Sequence, residues 1–367
     1  MDVVGLRGAA VAGLLALLAQ GAAAQLSVGG NLDVGLRVDH TRGTLRSLAA
    51  NSWLPSRITI GALEELGDGL RAQVVLEAGL TVDDGAGAVP PPGGSAGPLS
   101  FGRFSAVALG SDAMGYVSFG RQYTPLFVLG ASGVADVFGG AALGGSNSVS
   151  SFTVRASNAI AYTYGYGPRT LLRGSPAQGL GVAVMWAPGE ALSPTDAGQQ
   201  GGFNVSYGDG AWWLGYGYHQ VRGNSAAINP AAAVSASPVL RQQTLAAAYQ
   251  LGALRFTVGL NQGRNGLNTA AGVDRRGWYL GSAWQSGLHE LKAFYGRVED
   301  RSINRRDYAT LQFGYSYSLS KLTQLYALAG WVDNRDRAST VLLNTTPATV
   351  PAGVDVRSLA LGVLQRF

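Results

Sequence analysis

The sequence predicts an all-β chain: a 16-stranded antiparallel transmembrane β-barrel with one long loop folded inward. Three observations carry this. Short segments alternate apolar and polar residues at period two, with apolar faces nearly free of charge. The connections alternate between short turns and mostly longer loops on an even strand count, as in a barrel with one short-turned and one long-looped rim. Finally, the stretch 124–152 is long, holds six glycines, and carries Leu126, Phe127, Val128, Leu129, Val134, Val137, Phe138 and Leu143 with a single charge, Asp136. A disordered loop would be charged and poor in apolar residues, so this one is expected to be ordered and packed inside something.

The expected strands are 26–38, 53–63, 69–79, 101–110, 115–123, 153–165, 180–187, 202–209, 211–221, 240–251, 253–263, 275–286, 288–299, 306–318, 322–334 and 354–367. In the first, Leu26, Val28, Leu32, Val34, Leu36 and Val38 oppose Ser27, Asn31, Asp33, Arg37 and Asp39. In the third, Leu70, Ala72, Val74 and Leu76 oppose Arg71, Gln73, Val75 and Glu77. The eleventh sets Leu254, Phe256, Val258 and Leu260 against Arg255, Thr257, Gly259 and Asn261. Short turns join strands 2–3, 4–5, 8–9, 10–11, 12–13 and 14–15, while 39–52, 80–100, 124–152, 188–201, 222–239, 264–274, 300–305 and 335–353 are loops. The long connection 166–179 departs from this rule.

Composition agrees. Only 13% of residues are charged, 54 are glycine, and 15 Tyr, 11 Phe and 7 Trp supply aromatic surface. The formal net charge is +5, and only Lys292 and Lys321 of the 27 basic residues are lysine. Arginine suits permanent, planar contacts. Residues 1–24 are expected to be a secretory signal: Arg7 as the positive start, an apolar run from Ala9 to Leu18, and Ala22-Ala23-Ala24 before Gln25. The absence of cysteine argues against a disulfide-stapled secreted domain.

A soluble β-sandwich would also alternate. It would not need Trp186, Trp212, Trp284, Trp331, Tyr315 and Tyr317 towards the ends of outward faces, where a barrel places its interfacial girdles. Nor would it need polar faces rich in Arg, Asp, Glu and Gln opposite nearly charge-free ones. The last strand must pair with the first, because an open edge is not tolerated in lipid. That closure is expected to bring the amino group of Gln25 near the carboxylate of the terminal Phe367.

With these residues in place, the chain resembles the trimeric general porins of Gram-negative outer membranes, most closely the β-proteobacterial branch. The matching segments are Ser56-Arg57-Ile58-Thr59-Ile60-Gly61 with Glu64-Glu65-Leu66-Gly67-Asp68-Gly69-Leu70, Phe119-Gly120-Arg121-Gln122-Tyr123-Thr124-Pro125-Leu126, Arg155-Ala156-Ser157-Asn158-Ala159-Ile160-Ala161-Tyr162, and Phe367. The resemblance implies a water-filled pore narrowed by its third long loop, 124–152, whose acids face a ladder of wall arginines. By motif position these are Arg57, Arg103 and Arg155. Parity also puts them in the lumen: Arg57 with Thr59 and Gly61, Arg103 with Ser105 opposite Phe104, Ala106 and Ala108, and Arg155 with Ser157, Ala159, Ala161 and Thr163. Arg37 and Arg71 join by parity alone. The family's loop commonly carries two or more acids near its Phe-Gly-Gly, whereas here only Asp136 precedes Phe138-Gly139-Gly140. An under-compensated arginine ring favours anions. Arg121 has outward parity with Val117 and Phe119. It is therefore expected at a subunit contact, near an acid such as Asp83 or Asp84 of a neighbour's second loop.

The expected partners are two further copies in a homotrimer, outer-membrane lipid and lipopolysaccharide, and small hydrophilic solutes and anions. Nucleic acid is not expected, since the arginines are spread over strand interiors and form no surface stripe. No cofactor or metal is expected. Catalysis is disfavoured because His40, His219 and His289 stand apart and Gly-x-Ser-x-Gly is absent. The alternative is a substrate-specific channel for a sugar or organic acid, with Tyr162, Tyr164 and Tyr166 as an aromatic track, although parity puts the first two in the girdle.

Overall fold

Seventeen extended segments pair edge to edge, each antiparallel to its neighbours, and the last returns to the first. The computed structural model describes residues 24–88, 99–139, 145–150, 152–166, 176–225, 229, 233–342 and 350–367; the expected signal lies outside them apart from residue 24. The strands are β1 Gln25–His40, β2 Thr44–Ala50, β3 Arg57–Gly67, β4 Leu70–Gly79, β5 Phe104–Ser111, β6 Gly115–Tyr123, β7 Arg155–Tyr164, β8 Gln178–Ala187 and β9 Gln200–Asp209. They continue as β10 Trp212–Asn224, β11 Ser235–Leu251, β12 Leu254–Arg264, β13 Asp274–Ser286, β14 His289–Asp300, β15 Tyr308–Ser318, β16 Thr323–Asn334 and β17 Val356–Arg366. Two of them make one stave. β1 pairs with β2 from Val34 to His40 and with β3 from Gln25 to Asn31. The barrel therefore has sixteen staves, the second broken at 51–56.

The broken stave corrects the expected loop 39–52. β1 runs on to His40 and turns back through 41–43 into β2. The sequence pattern hid this because the break follows rather than precedes β2. Asp33, fully buried, holds the break: its Oδ2 accepts from the backbone N–H of Trp53 and of Leu54 at 2.6 Å each, and its Oδ1 from the Tyr326 hydroxyl at 2.5 Å. Trp53 is thereby turned inward.

The outward face shows why the chain belongs in lipid. Leu36, Val107, Phe119, Val184, Leu245, Leu280, Phe313 and Leu361 are all exposed, on staves right round the barrel. Monomeric soluble proteins rarely expose contiguous apolar patches beyond a few hundred Å², and a bilayer removes the cost. Trp186, Trp212, Trp284, Trp331, Tyr162, Tyr164 and Tyr315 are exposed as the girdle reading expected.

Two face assignments need correction. In β5 the buried residues are Phe104, Ala106 and Ala108, while Val107 and Leu109 are exposed. The inward face is thus the one expected to face out, because Ala and Phe were read as lipid-facing when they fill the space behind the loop. In β7 the pairing with β6 slips between Gly120 and Gln122, and Asn158 adopts φ +56°. The extra residue makes a bulge, so Ala156 is buried and Asn158 exposed. Gly120 itself, at φ +124°, leaves no room for a side chain against the Ser105 carbonyl. The chain-end pairing also differs. Phe367 exchanges backbone hydrogen bonds with Gly30 (3.0 and 3.2 Å), so Gln25 lies five residues farther along, roughly 17 Å at strand rise.

Candidate functional site

The loop after β6 begins with a short helix that the sequence reading left as loop. Helix α1, Pro125–Gly130, starts where Thr124 caps it: the Thr124 hydroxyl accepts from the N–H of Phe127 at 3.2 Å and donates to the Thr153 carbonyl at 2.6 Å. Proline at the first helical position suits the start, since its missing N–H would have no intrahelical partner. The chain then crosses to the opposite wall, where inward glycines make room for it. A side chain at Gly215 would strike Leu129, at Gly217 Leu126 and at Gly277 the backbone of Val149. Wall groups also fasten the loop. The Tyr279 hydroxyl donates to the Ala135 carbonyl (2.9 Å), Tyr308 to Ser148 (2.7 Å) and Asn204 to Pro125 (2.6 Å). Val137, Phe138 and Val149 join an apolar cluster with Trp53, Tyr279, Phe294, Tyr326 and Leu328; Ala338, Leu342 and Val350 of the last long loop belong to the same cluster.

Against the wall where the loop departs, three arginines converge on one carboxylate. Glu77 of β4 is fully buried. Its Oε1 lies 2.8 Å from Arg103 Nε and 3.9 Å from Arg57 Nη1, and its Oε2 accepts from the Thr59 hydroxyl at 3.3 Å. The Tyr123 hydroxyl stands between the charges. It donates to Glu77 Oε1 at 3.2 Å and accepts from Arg103 Nη2 at 2.9 Å and Arg155 Nη2 at 3.2 Å. Arg155 lies over the Tyr123 ring, 4.7 Å from its centroid, and donates through Nε to the Arg103 carbonyl at 2.9 Å. Tyr123 stacks in turn on Phe127 of α1 at 5.1 Å, coupling the loop to the cluster. Arg57, whose Nε donates to Asn31 at 3.0 Å, keeps 26% of its side chain exposed against 8% for Arg103. Three fixed positive charges thus share one negative one.

The structure brings Arg57, Arg103 and Arg155 together and separates the other candidates from them. Arg103 enters by a route other than the one expected, from the irregular residues before β5. Arg37 is 1% exposed and bonded through Nε to Asp39 at 3.0 Å, a covered structural pair. Arg71 shares the inward face with Glu77 but lies six residues, roughly 20 Å, away along β4. It sits at the short-turn rim, bonded to Glu65 at 2.6 Å and Asp112 at 2.7 Å, and holds the Asp112 carboxylate below its ordinary range. Parity gives a face but not a height. Asp136 is turned into its own loop and fully buried, accepting from Phe138 N (2.9 Å), Ser146 N (2.8 Å) and Ser146 Oγ (2.9 Å). Arg121 pairs with Ser105 on the outward face and donates to Gly102 O at 2.7 Å and Ser157 Oγ at 2.8 Å. Asp84 is engaged by Thr81 and Ala86 of its own loop.

Glu77 and Tyr123 were missed as members of the site. The signal was present: Glu77 is an inward acid on the strand next to Arg57, and Tyr123 stands in the motif beside Arg121. Lys292 was missed too. It lies 5.0 Å from the Trp53 ring and 5.9 Å from that of Phe138, paired with Glu290 at 3.1 Å. Of the proposed aromatic track, Tyr166 is buried and its hydroxyl donates to Asn204 at 2.6 Å, whereas Tyr162 and Tyr164 face outward.

A closed sixteen-stave barrel with an apolar exterior, a loop fastened across its interior and a charged cluster beside that loop is the build of a diffusion pore. Residues 9–337 match the model of the Gram-negative porin family. The chain belongs to that family. It is accordingly an integral β-barrel of a Gram-negative outer membrane that forms a pore there. Among curated relatives, this porin is 26% identical over 325 residues to outer membrane porin protein 32 of Delftia acidovorans, covering 85% of this chain and 84% of that one. Among solved structures it is similar to an anion-selective porin from Comamonas acidovorans, with a TM-score of 0.76 at 20% identity, covering 94% of this porin and 100% of the other. The trimer form of OmpT, an outer membrane protein of Vibrio cholerae, matches with a TM-score of 0.63 at 13% identity, over 94% and 100% of the two chains.

Proposed function

We propose that this porin is an anion-preferring channel for passive diffusion of small hydrophilic solutes, with its selectivity set by Arg57, Arg103 and Arg155. The carrying observation is the charge count at the cluster: three guanidiniums around the single carboxylate of Glu77, while Asp136 spends its oxygens inside the loop. A ring of one sign in a low-dielectric wall concentrates the opposite ion. The name of the Comamonas porin supports the same preference. Reversal potentials across a planar bilayer under a KCl gradient test it: the wild type should favour chloride, and joint replacement of Arg57 and Arg155 by glutamine should move the potential towards cations. A cation-selective wild type refutes the proposal.

We further propose a homotrimer in which Arg121 stiffens the contact face. An outward arginine at mid-bilayer costs about 2–4 kcal/mol. Arg121 avoids lipid by bonding Gly102 and Ser157, which puts a polar, fixed surface where a neighbour would pack. The trimer form of OmpT is the parallel. Arg121→Ala should lower the temperature at which trimers dissociate on gels, and an unchanged temperature counts against the assignment.

A further inference from the structure

The outward face carries one feature that neither pore nor lipid tail explains. At the long-loop ends of β11, β12 and β13 stand Arg241, Arg264 and Arg276. All three are exposed and, among the described residues, none is in an ion pair. Arg241 is directly opposite Arg264 in the ladder, an arrangement of like charges that is destabilising by itself. Elsewhere on this rim outward arginines are matched: Arg222 with Asp196 at 3.2 Å, and Arg335 with Asp333 at 2.8 Å. Acids do stand near the three. Asp274 is in register with Arg264, and Glu299 with Arg276. The Glu299 carboxylate, however, lies 3.9 Å from Arg297 and 3.8 Å from Arg301, so the patch keeps an excess of positive charge.

One row nearer the midplane is a ladder of amides: Tyr216 donates to Gln243 at 3.1 Å, and Gln243 to Gln262 at 2.7 Å. Polar side chains at this height cannot sit in hydrocarbon cheaply, so the row marks the headgroup level. The next outward positions are Leu245, Leu260 and Trp278, at the edge of the apolar belt. Between the rows runs a groove of about 480 Å³ lined by Tyr218, Arg241, Gln243, Gln262 and Arg264. It continues into one of about 570 Å³ that reaches Arg276 and Trp278.

We infer that this groove is a binding site for a phosphorylated glycolipid of the outer leaflet. The unmatched guanidiniums bind its phosphates, the amide ladder meets its sugar hydroxyls, and the apolar belt below takes its acyl chains. Arginine forks suit phosphate oxygens, and a phosphate between Arg241 and Arg264 removes the repulsion that makes the bare pair unfavourable. The site rests on the outer-membrane placement, not on the ion preference of the pore.

The test uses the full-length porin in detergent, titrated with bis-phosphorylated lipid A, with the same lipid A stripped of phosphate, and with inorganic phosphate. With about 1 kcal/mol for each basic residue near a charged lipid surface, the triple variant Arg241→Gln, Arg264→Gln and Arg276→Gln should bind bis-phosphorylated lipid A on the order of 100-fold more weakly. Binding of dephosphorylated lipid A should stay as in the wild type. A control triple, Arg46→Gln, Arg335→Gln and Arg357→Gln, should lose far less. Equal losses in both triples would mean general attraction to a basic rim and overturn the site. So would a wild type that does not distinguish the two lipids, a result that needs no variant to fold. Wild-type binding of inorganic phosphate as tight as that of lipid A would also overturn the glycolipid assignment. Single-channel conductance of the same samples reports the pore separately.

Discussion

Glu77→Gln offers the sharpest test of the selectivity mechanism, because it removes one charge while keeping the shape of the cluster. Glutamine retains an oxygen for Arg103 Nε, now 2.8 Å from the carboxylate, and leaves three arginines with no counter-charge. An ion passing two strand spacings away, about 10 Å, feels the Glu77 charge by about 0.4 kcal/mol in a water-like medium and about 1.7 kcal/mol at an effective dielectric of 20. Removing it lowers the energy of chloride and raises that of potassium, which doubles the effect on their ratio. Screening over a Debye length of about 10 Å at 0.1 M salt cuts this to roughly a third. The chloride-to-potassium permeability ratio should therefore rise roughly 2- to 8-fold, read from the reversal potential in a planar bilayer. At 1 M salt, where the Debye length is about 3 Å, the difference from wild type should nearly vanish. An unchanged ratio at low salt, or a shift towards cations, would show that Glu77 does not govern the path of the ion. A shift that persists at 1 M would point to altered pore shape instead.

Other predictions probe the parts that hold the cluster and loop in place. Asp136→Asn should leave the reversal potential near wild type, because the carboxylate is buried in its own loop; the loss of charged acceptors for Phe138 and Ser146 should instead appear as noisier open-channel current. Gly277→Ala puts a methyl group against the Val149 backbone, so the loop should lift from the wall and single-channel conductance rise, whereas an unaltered conductance would mean that the loop is not seated there. Asp33→Ala strips two backbone N–H groups and the Tyr326 hydroxyl of their acceptor, and should lower stability by on the order of 3 kcal/mol, seen as a lower temperature for the shift in gel mobility on heating.

Much of the fold was legible because lipid imposes a simple rule on sequence. Every outward side chain must be apolar, so the period-two signal in β1, β12 and β15 is nearly unbroken, and the sixteen expected strands fall within a few residues of the observed staves. The failures occurred where the inward face is apolar as well. Phe104, Ala106 and Ala108 pack behind α1, so β5 shows two apolar faces and its parity is ambiguous. Trp53 and Asp33 rebuild stave two around a buried carboxylate, a contact 20 residues apart in sequence that no local pattern reports. The bulge at Asn158 inverts the face of everything that precedes it in β7, and its positive φ leaves no trace in hydropathy.

The site itself depended on a coordinate that sequence does not carry. Parity assigned Arg37, Arg57 and Arg71 to one inner surface, and that much holds. Their functions differ because height along the barrel differs: Arg71 belongs to the short-turn rim, Arg37 to a covered pair with Asp39, and only Arg57 reaches Glu77. Height is fixed by register, and register by where turns, breaks and bulges fall. The same reasoning relocates the compensating acid. The expected opposition was between wall arginines and the acid of the loop, yet the loop uses Asp136 to hold its own fold, and the wall supplies Glu77 from the neighbouring strand. Selectivity and loop position are then separable in this porin: one carboxylate tunes the field of the arginines while the other keeps the loop in shape, and the stacked pair of Tyr123 and Phe127 is the contact through which a change in either reaches the other.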